Sequence, residues 1–294
     1  MTGITLDRIE LDDAGGNPRR IADAIHEQLG PSVGPVPVRE IAYALDIYEI
    51  RIEPLTTIEG ALVTTLERGY GSILVNAVAS HARRRFTIAH ELGHFLNPWH
   101  QPNVSTGFEC TREDTNVKVG DMRNRHLRQE AEANEFAIEL LVPRQRLRSY
   151  LTGAVDLEQV QGIAVEFDVS KAAAVRHYVA LRDERLAVVF SEAGHVNYVD
   201  LGPRFPSLRL RARDAMPVLP KSSGNSSLTS VEEADPEDWL SCPNETTLGV
   251  QTLYQQNGYA ITLLRVETAD ADEDSEENDD AFERFSRLSD RQQN

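Results

Sequence analysis

Only two cysteines, Cys110 and Cys242, occur in 294 residues. They are too few for a disulfide framework and lack the spacing of a thiolate zinc site. No apolar run approaches the length needed to span a bilayer. Met1 to Pro18 is polar and acidic, without the apolar core of a signal peptide, so the expected location is cytoplasmic. No internal repeat is found. Basic residues are the minority charge, 30 Lys and Arg against 47 Asp and Glu, for a formal net charge of −17. That balance argues against non-specific binding to nucleic acid.

The negative charge is concentrated. Residues 267–280 hold nine acidic side chains and no basic one, and setting them aside leaves −8 of the −17 for the rest of the chain. The end of the chain, 267–294, is therefore expected to be a solvated, disordered tail. Elsewhere, a hydrophobic content of 40% and a charged content of 26% describe an ordinary soluble protein, long enough for one good core and a smaller module.

Helical spacing runs from Asn17 to Leu29 and stops at Gly30-Pro31, and Pro37 opens a second helix to Leu45. Ile47–Ile52, Ala61–Leu66 and Tyr70–Asn76 have strand character, suggesting a small sheet whose edge could hold an extended peptide. Residues 97–122 read as polar loop. A long helix is expected from Met122 to Val142, stopping at Pro143, and two more between Val155 and Arg182. Beyond Leu186 the pattern changes to short alternating runs: Leu186–Phe190, Val196–Val199, Leu208–Arg211 and Tyr259–Val266. The expected organisation is a leader over 1–17, expected to be flexible, a main domain over 18–185, a β-rich module over 186–266 and the acidic tail.

The most informative segment is His90-Glu91-Leu92-Gly93-His94. Arg85 to Ala89 leads into it, Phe95-Leu96 follows, and Asn97-Pro98 ends the helix. At about 100° per residue, His90 and His94 lie about 40° apart on one helix face, with Glu91 about 60° further round. Two imidazoles so placed can share one metal ion, and the offset brings the Glu91 carboxylate near a metal-bound water without making it a ligand.

Catalytic zinc takes three protein ligands and keeps one position open. Two residues compete for the third place. His100 has the spacing from His94 of a metzincin, with Asn97 where the turn glycine would stand. Glu130 lies on the downstream helix; by helix phase it is the acidic residue on the apolar face, whereas Glu132, Glu135 and Glu139 fall with Arg128 on the opposite, wet face. A buried carboxylate needs a cation, either the metal or an arginine such as Arg84 or Arg85. Tyr70, His100 and His126 are candidates for stabilising an oxyanion.

Arg85-Phe-Thr-Ile-Ala-His-Glu-Leu-Gly-His-Phe-Leu96, with Glu130-Ala-Glu-Ala-Asn-Glu-Phe-Ala-Ile-Glu-Leu-Leu-Val-Pro143 downstream, resembles the ImmA/IrrE metallopeptidases over roughly residues 20–185. The resemblance implies an α+β, zincin-like domain of helices and a small sheet, followed here by the β-rich module. It implies His90, His94 and Glu130 as zinc ligands, with Mn2+ or Fe2+ as alternative ions, and Glu91 as the catalytic residue. It further implies cleavage of a protein partner, a helix-turn-helix transcriptional repressor, in stress responses or mobile-element induction. The family's usual Leu-Leu-Met-Pro ending is Leu140-Leu-Val-Pro143 here. The competing expectation is a non-catalytic or toxin-like regulator that grips a repressor or binds DNA, supported by helix-turn-helix spacing from Leu157 to Leu181 with Lys171, Arg176 and Arg182.

Overall fold

The structure, a computed structural model, describes residues 3–65, 67–102, 107–111, 114, 124–219, 227–243 and 246–268. The acidic run from residue 269 onward lies outside them. The chain divides into two compact units, Met1–Leu181 and Arg182–Asn294, a boundary slightly earlier than the one expected. Helices and strands mix in the first unit and strands dominate the second, so the α+β class holds. No helix among the described residues is long and apolar enough to cross a membrane.

The first unit opens with α1 (Arg8–Asp12), α2 (Pro18–Leu29) and α3 (Val38–Ala44). The leader expected over 1–17 carries α1 within its described part. Asp7 accepts a capping hydrogen bond from Ile9 N, and Leu6, Leu11 and Ala14 are buried. Next come β1 (Ile47–Glu53), β2 (Gly60–Thr64) and β3 (Gly71–Asn76), then α4 (His81–Leu96). A strand that sequence reading missed, β4 (Phe108–Cys110), precedes α5 (Arg125–Leu141), α6 (Arg144–Leu151), α7 (Leu157–Phe167) and α8 (Lys171–Leu181).

The sheet runs β1-β3-β2-β4. β1 is parallel to β3, and β2 is antiparallel to both β3 and β4. The β2 edge of this sheet, expected to hold a peptide along one of its edges, is thus paired with β4. α4 crosses this sheet, starting at Ser80, whose side chain accepts from Arg83 N, and ending at Asn97 before Pro98. Every residue from Thr87 to Phe95 is buried, so the central turns of α4 are enclosed on all sides. A Cβ on Gly93 would lie 2.8 Å from Phe136 Cδ1, and its absence lets α4 and α5 approach closely enough for their side chains to meet.

Most of the face of α5 expected to be wet is covered: α5 packs against both α4 and α2, and of Arg128, Glu132, Glu135 and Glu139 only Arg128 is exposed. Glu139, expected in solvent, is buried and takes Nε of Arg144 on both oxygens, at 2.7 and 2.9 Å. Helix phase identifies one inward face, but a helix between two layers has two. Neither arginine proposed as partner for Glu130 serves it. Arg85 donates to the carbonyls of Val36 and Asp168 and pairs with the Asp168 carboxylate at 3.4 Å, while Arg84 donates to the Ala77 carbonyl. α7 and α8 do form a helix-turn-helix pair, turning at Asp168 in the left-handed region (φ 52°).

Two histidines close the carboxyl end of α5, where carbonyls lack partners within the helix. His26 of α2 bonds Leu140 O at 2.9 Å, and His177 of α8 bonds Val142 O at 3.1 Å. Burial lowers the His177 pKa from 6.5 to about 4. Between those values the unfolded chain binds a proton that the native chain refuses, so acidification through this window destabilises the fold. The contribution by pH 4 is about 3 kcal/mol. His177→Gln, which keeps a donor for Val142, is expected to melt with a weaker dependence on pH between 6.5 and 4 than the unaltered chain.

The second unit is a five-stranded antiparallel sheet in the order β6-β5-β9-β8-β7. Its strands are β5 (Arg185–Glu192), β6 (His195–Leu201), β7 (Glu232–Ala234), β8 (Thr246–Tyr254) and β9 (Tyr259–Thr268), with α9 (Pro236–Trp239) between β7 and β8. Ala187, Val189, Val196, Leu248, Val250, Leu264 and Val266 pack around Trp239. Leu208–Arg211, expected as a strand, makes only an isolated bridge between Leu208 and Leu240.

Candidate metal centre

α4 presents His90 and His94, α5 presents Glu130, and β4 brings Cys110 to the same point. All four are buried, and their ligand atoms lie within 4.8 Å of one another. His90 Nε2 stands 3.2 Å from Glu130 Oε2, 3.2 Å from His94 Nε2 and 3.3 Å from Cys110 Sγ. His94 Nε2 is 3.5 Å from Glu130 Oε1 and 3.6 Å from Cys110 Sγ. Zinc bonds of about 2.0–2.3 Å at tetrahedral angles place ligand atoms about 3.3–3.6 Å apart. The spacings of the two imidazoles from each other, from Glu130 and from Cys110 match that figure, so the residues fit a metal ion.

Burial works against the Glu130 charge, yet hydrogen bonds with His90 and His94 outweigh it and hold the carboxyl well below the usual range. A carboxylate anion at two imidazoles is already in the protonation state that a metal requires. His94 is held neutral by burial, down to about 4, as ligation also requires. For His90 the Glu130 hydrogen bond and the charges of Glu91 and Glu130 outweigh burial and raise the pKa.

Glu91 is set apart from this group. It is fully buried, its carboxylate oxygens take no hydrogen bond from a nitrogen or oxygen donor among the described residues, and the Cys110 thiol is its polar neighbour. Burial raises its pKa to about 8, against the pull of His90. The backbone of β2 passes close by: a Cβ on Gly60 would fall 2.8 Å from Glu91 Oε1 and 2.3 Å from Thr87 Cγ2. A valine at 60 would push into the carboxylate, so glycine here reserves the space beside it.

His100 stays off the metal position. Asn97 takes an extended conformation (φ −79°, ψ 111°), not the left-handed turn that would return His100 to the metal. Instead His100 Nδ1 meets His94 Nδ1 at 2.9 Å, and its Nε2 meets Glu132 Oε2 at 3.0 Å. With His94 ligating through Nε2, its Nδ1–H donates to His100 Nδ1, and the Nε2–H of His100 donates to Glu132. Arg128 Nε anchors Glu132 at 2.7 Å, and the buried Arg68 guanidinium donates to the carbonyls of His94, Asn97 and His100. The relay fixes the tautomer and aim of His94. Replacing His100 with Ala is expected to weaken zinc binding about 10–100-fold, measured by competition with a chelating dye.

Of the candidates for the oxyanion, Tyr70 lies exposed against Tyr48, with ring centroids 6.0 Å apart. His126 is the one at the site: its half-exposed ring sets Nδ1 3.6 Å from Glu130 Oε1 and Nε2 3.2 Å from Asp114 Oδ1. Cys110 was the residue sequence reading missed. It has no companion at thiolate-ligand spacing, and only the buried-exposed-buried alternation of Phe108, Glu109 and Cys110 hints that the segment is a strand.

A fold of helices over a small mixed sheet, with His-Glu-x-x-His on the crossing helix and a carboxylate from the next, defines a peptidase-type metal site. Residues 47–177 match the peptidase M78 family model, described as the IrrE N-terminal-like domain. A solved Mycobacterium tuberculosis transcriptional regulator is similar over 88% of this chain and 92% of its own, at 12% identity and a TM-score of 0.48, too distant a likeness to bear on function. No curated protein matches the chain.

Proposed function

We propose that the chain is a zinc-dependent endopeptidase that hydrolyses a peptide bond in a protein partner, a helix-turn-helix repressor. One observation carries the enzymatic reading: the fully buried Glu91 carboxylate, with no nitrogen or oxygen donor bonded to it among the described residues, stands beside three convergent donors, two imidazoles and a carboxylate. A carboxylate left without hydrogen bonds in the interior costs stability, and a role in proton transfer accounts for its retention. The donor set, rich in nitrogen and including a sulfur, favours zinc over Mn2+ or Fe2+. When bound, such an ion acts as a Lewis acid toward the scissile carbonyl and acidifies a water molecule.

The residues supply the rest. Glu91 takes the proton of the attacking water and returns it to the leaving amine. The His100–Glu132 relay keeps His94 neutral at Nε2 and correctly aimed. His126, next to Glu130, would donate to the carbonyl oxygen as it gains charge only by turning a ring nitrogen away from Glu130 or Asp114. The repressor as substrate is supported by the family resemblance alone. The helix pair α7–α8 supports the DNA-binding alternative only weakly, since the chain is acidic overall.

The test is incubation of the zinc-loaded chain, and of its Cys110→Ala variant, with the repressor encoded beside its gene, followed by mass spectrometry of the products. A defined cut in the repressor supports the reading. An intact repressor with both proteins, each shown to hold zinc, overturns the repressor as substrate.

A further inference from the structure

We propose that β4 is a built-in mimic of substrate, delivering the Cys110 thiolate to the fourth position of the metal and holding the peptidase latent. This rests on the metallopeptidase reading and concerns regulation of the same site. β4 lies antiparallel along β2, with Gly60 opposite Cys110, Ala61 opposite Glu109 and Leu62 opposite Phe108. Glu59 N adds a further bond to Cys110 O at 2.9 Å. An extended peptide added to that edge would make the same main-chain bonds. The two inward side chains of β4 both engage the site. Phe108 stacks on the His94 ring with centroids 4.6 Å apart and planes 22° from parallel, and Cys110 Sγ lies 3.3 Å from His90 Nε2 and 3.6 Å from His94 Nε2.

The count of donors decides the consequence. Hydrolytic zinc sites keep one position for water, whereas sites with four protein ligands are closed. Here the sulfur takes the position that Glu91 would serve, which leaves a base with nothing to deprotonate. The arrangement is also reversible. β4 is three residues long and pairs only with β2 among the described residues, so a longer strand from a partner can replace it. Ligation by Cys110 would release the thiol proton to solvent, and displacement of β4 by a competing strand would return a proton from water to the sulfur and free the β2 edge.

The test uses the full chain in three forms: as it is, Cys110→Ala and Cys110→Ser. X-ray absorption at the zinc edge of the unaltered chain is expected to show one sulfur neighbour at about 2.3 Å. Substitution with cobalt(II) is expected to give a near-ultraviolet thiolate charge-transfer band that both variants lose while still binding one ion. Acetohydroxamate, which needs a free position, is expected to perturb the cobalt spectrum of the variants and leave that of the unaltered chain unchanged. A chain that binds zinc with no sulfur neighbour, or takes acetohydroxamate as readily as its variants, overturns latency and leaves the peptidase reading standing. A chain that binds no zinc in any form removes both.

Discussion

Replacing Glu91 with Gln is expected to leave metal binding unchanged and to reduce peptide cleavage by about 10²–10⁴-fold, the usual contribution of a positioned proton-transfer group. The side chain is not among the four converging donors, so removing its charge takes no ligand from the ion. Two effects on stability oppose each other: the amide brings an N–H2 group that needs an acceptor in a buried pocket, while a group whose pKa is raised to about 8 by burial gives up little when its charge is removed. The variant should therefore melt close to the temperature of the parent. The measurement pairs zinc content with cleavage rate, in the Cys110→Ala background where the unaltered chain is latent. Cleavage at the parental rate would remove Glu91 from the mechanism.

Glu130→Ala is expected to do the opposite, weakening zinc affinity by more than the roughly 10–100-fold typical of residues one step removed from a metal. Its carboxylate spans both imidazoles, at 3.2 Å from His90 and 3.5 Å from His94. Truncation leaves two histidines on one helix and a thiol on a short strand, with nothing from α5 to oppose them. Equilibrium dialysis against zinc reads the loss directly. Retained affinity would mean that Cys110 is the third ligand and Glu130 only its neighbour.

The catalytic helix and its partner were legible because their information is local. His90, Glu91 and His94 occupy one turn, and the phase of Glu130 against Ala137 and Leu141 singles it out. The same argument failed for Glu139, whose side of α5 is covered by α2, a packing decision made between segments more than a hundred residues apart. Cys110 was illegible for a related reason: its function depends on β4 finding β2, a pairing across some fifty residues that nothing in Phe108-Glu109-Cys110 announces. The relay through His100 was half legible. The sequence placed a histidine six residues beyond His94, but the backbone at Asn97 decided whether it would ligate or support.

The donors come from α4, β4 and α5, three pieces of chain joined by long connections. An ion held by them acts as a rivet through the first unit, tying a sheet edge to two helices that otherwise touch through apolar side chains. Chelation should then lower the melting temperature and speed amide exchange across all three pieces at once, in step with the free zinc concentration. If the ion is zinc, as proposed, zinc starvation would leave the first unit looser and more open to degradation, so that supply of the ion would bear on the abundance of the protein as well as on the proposed activity.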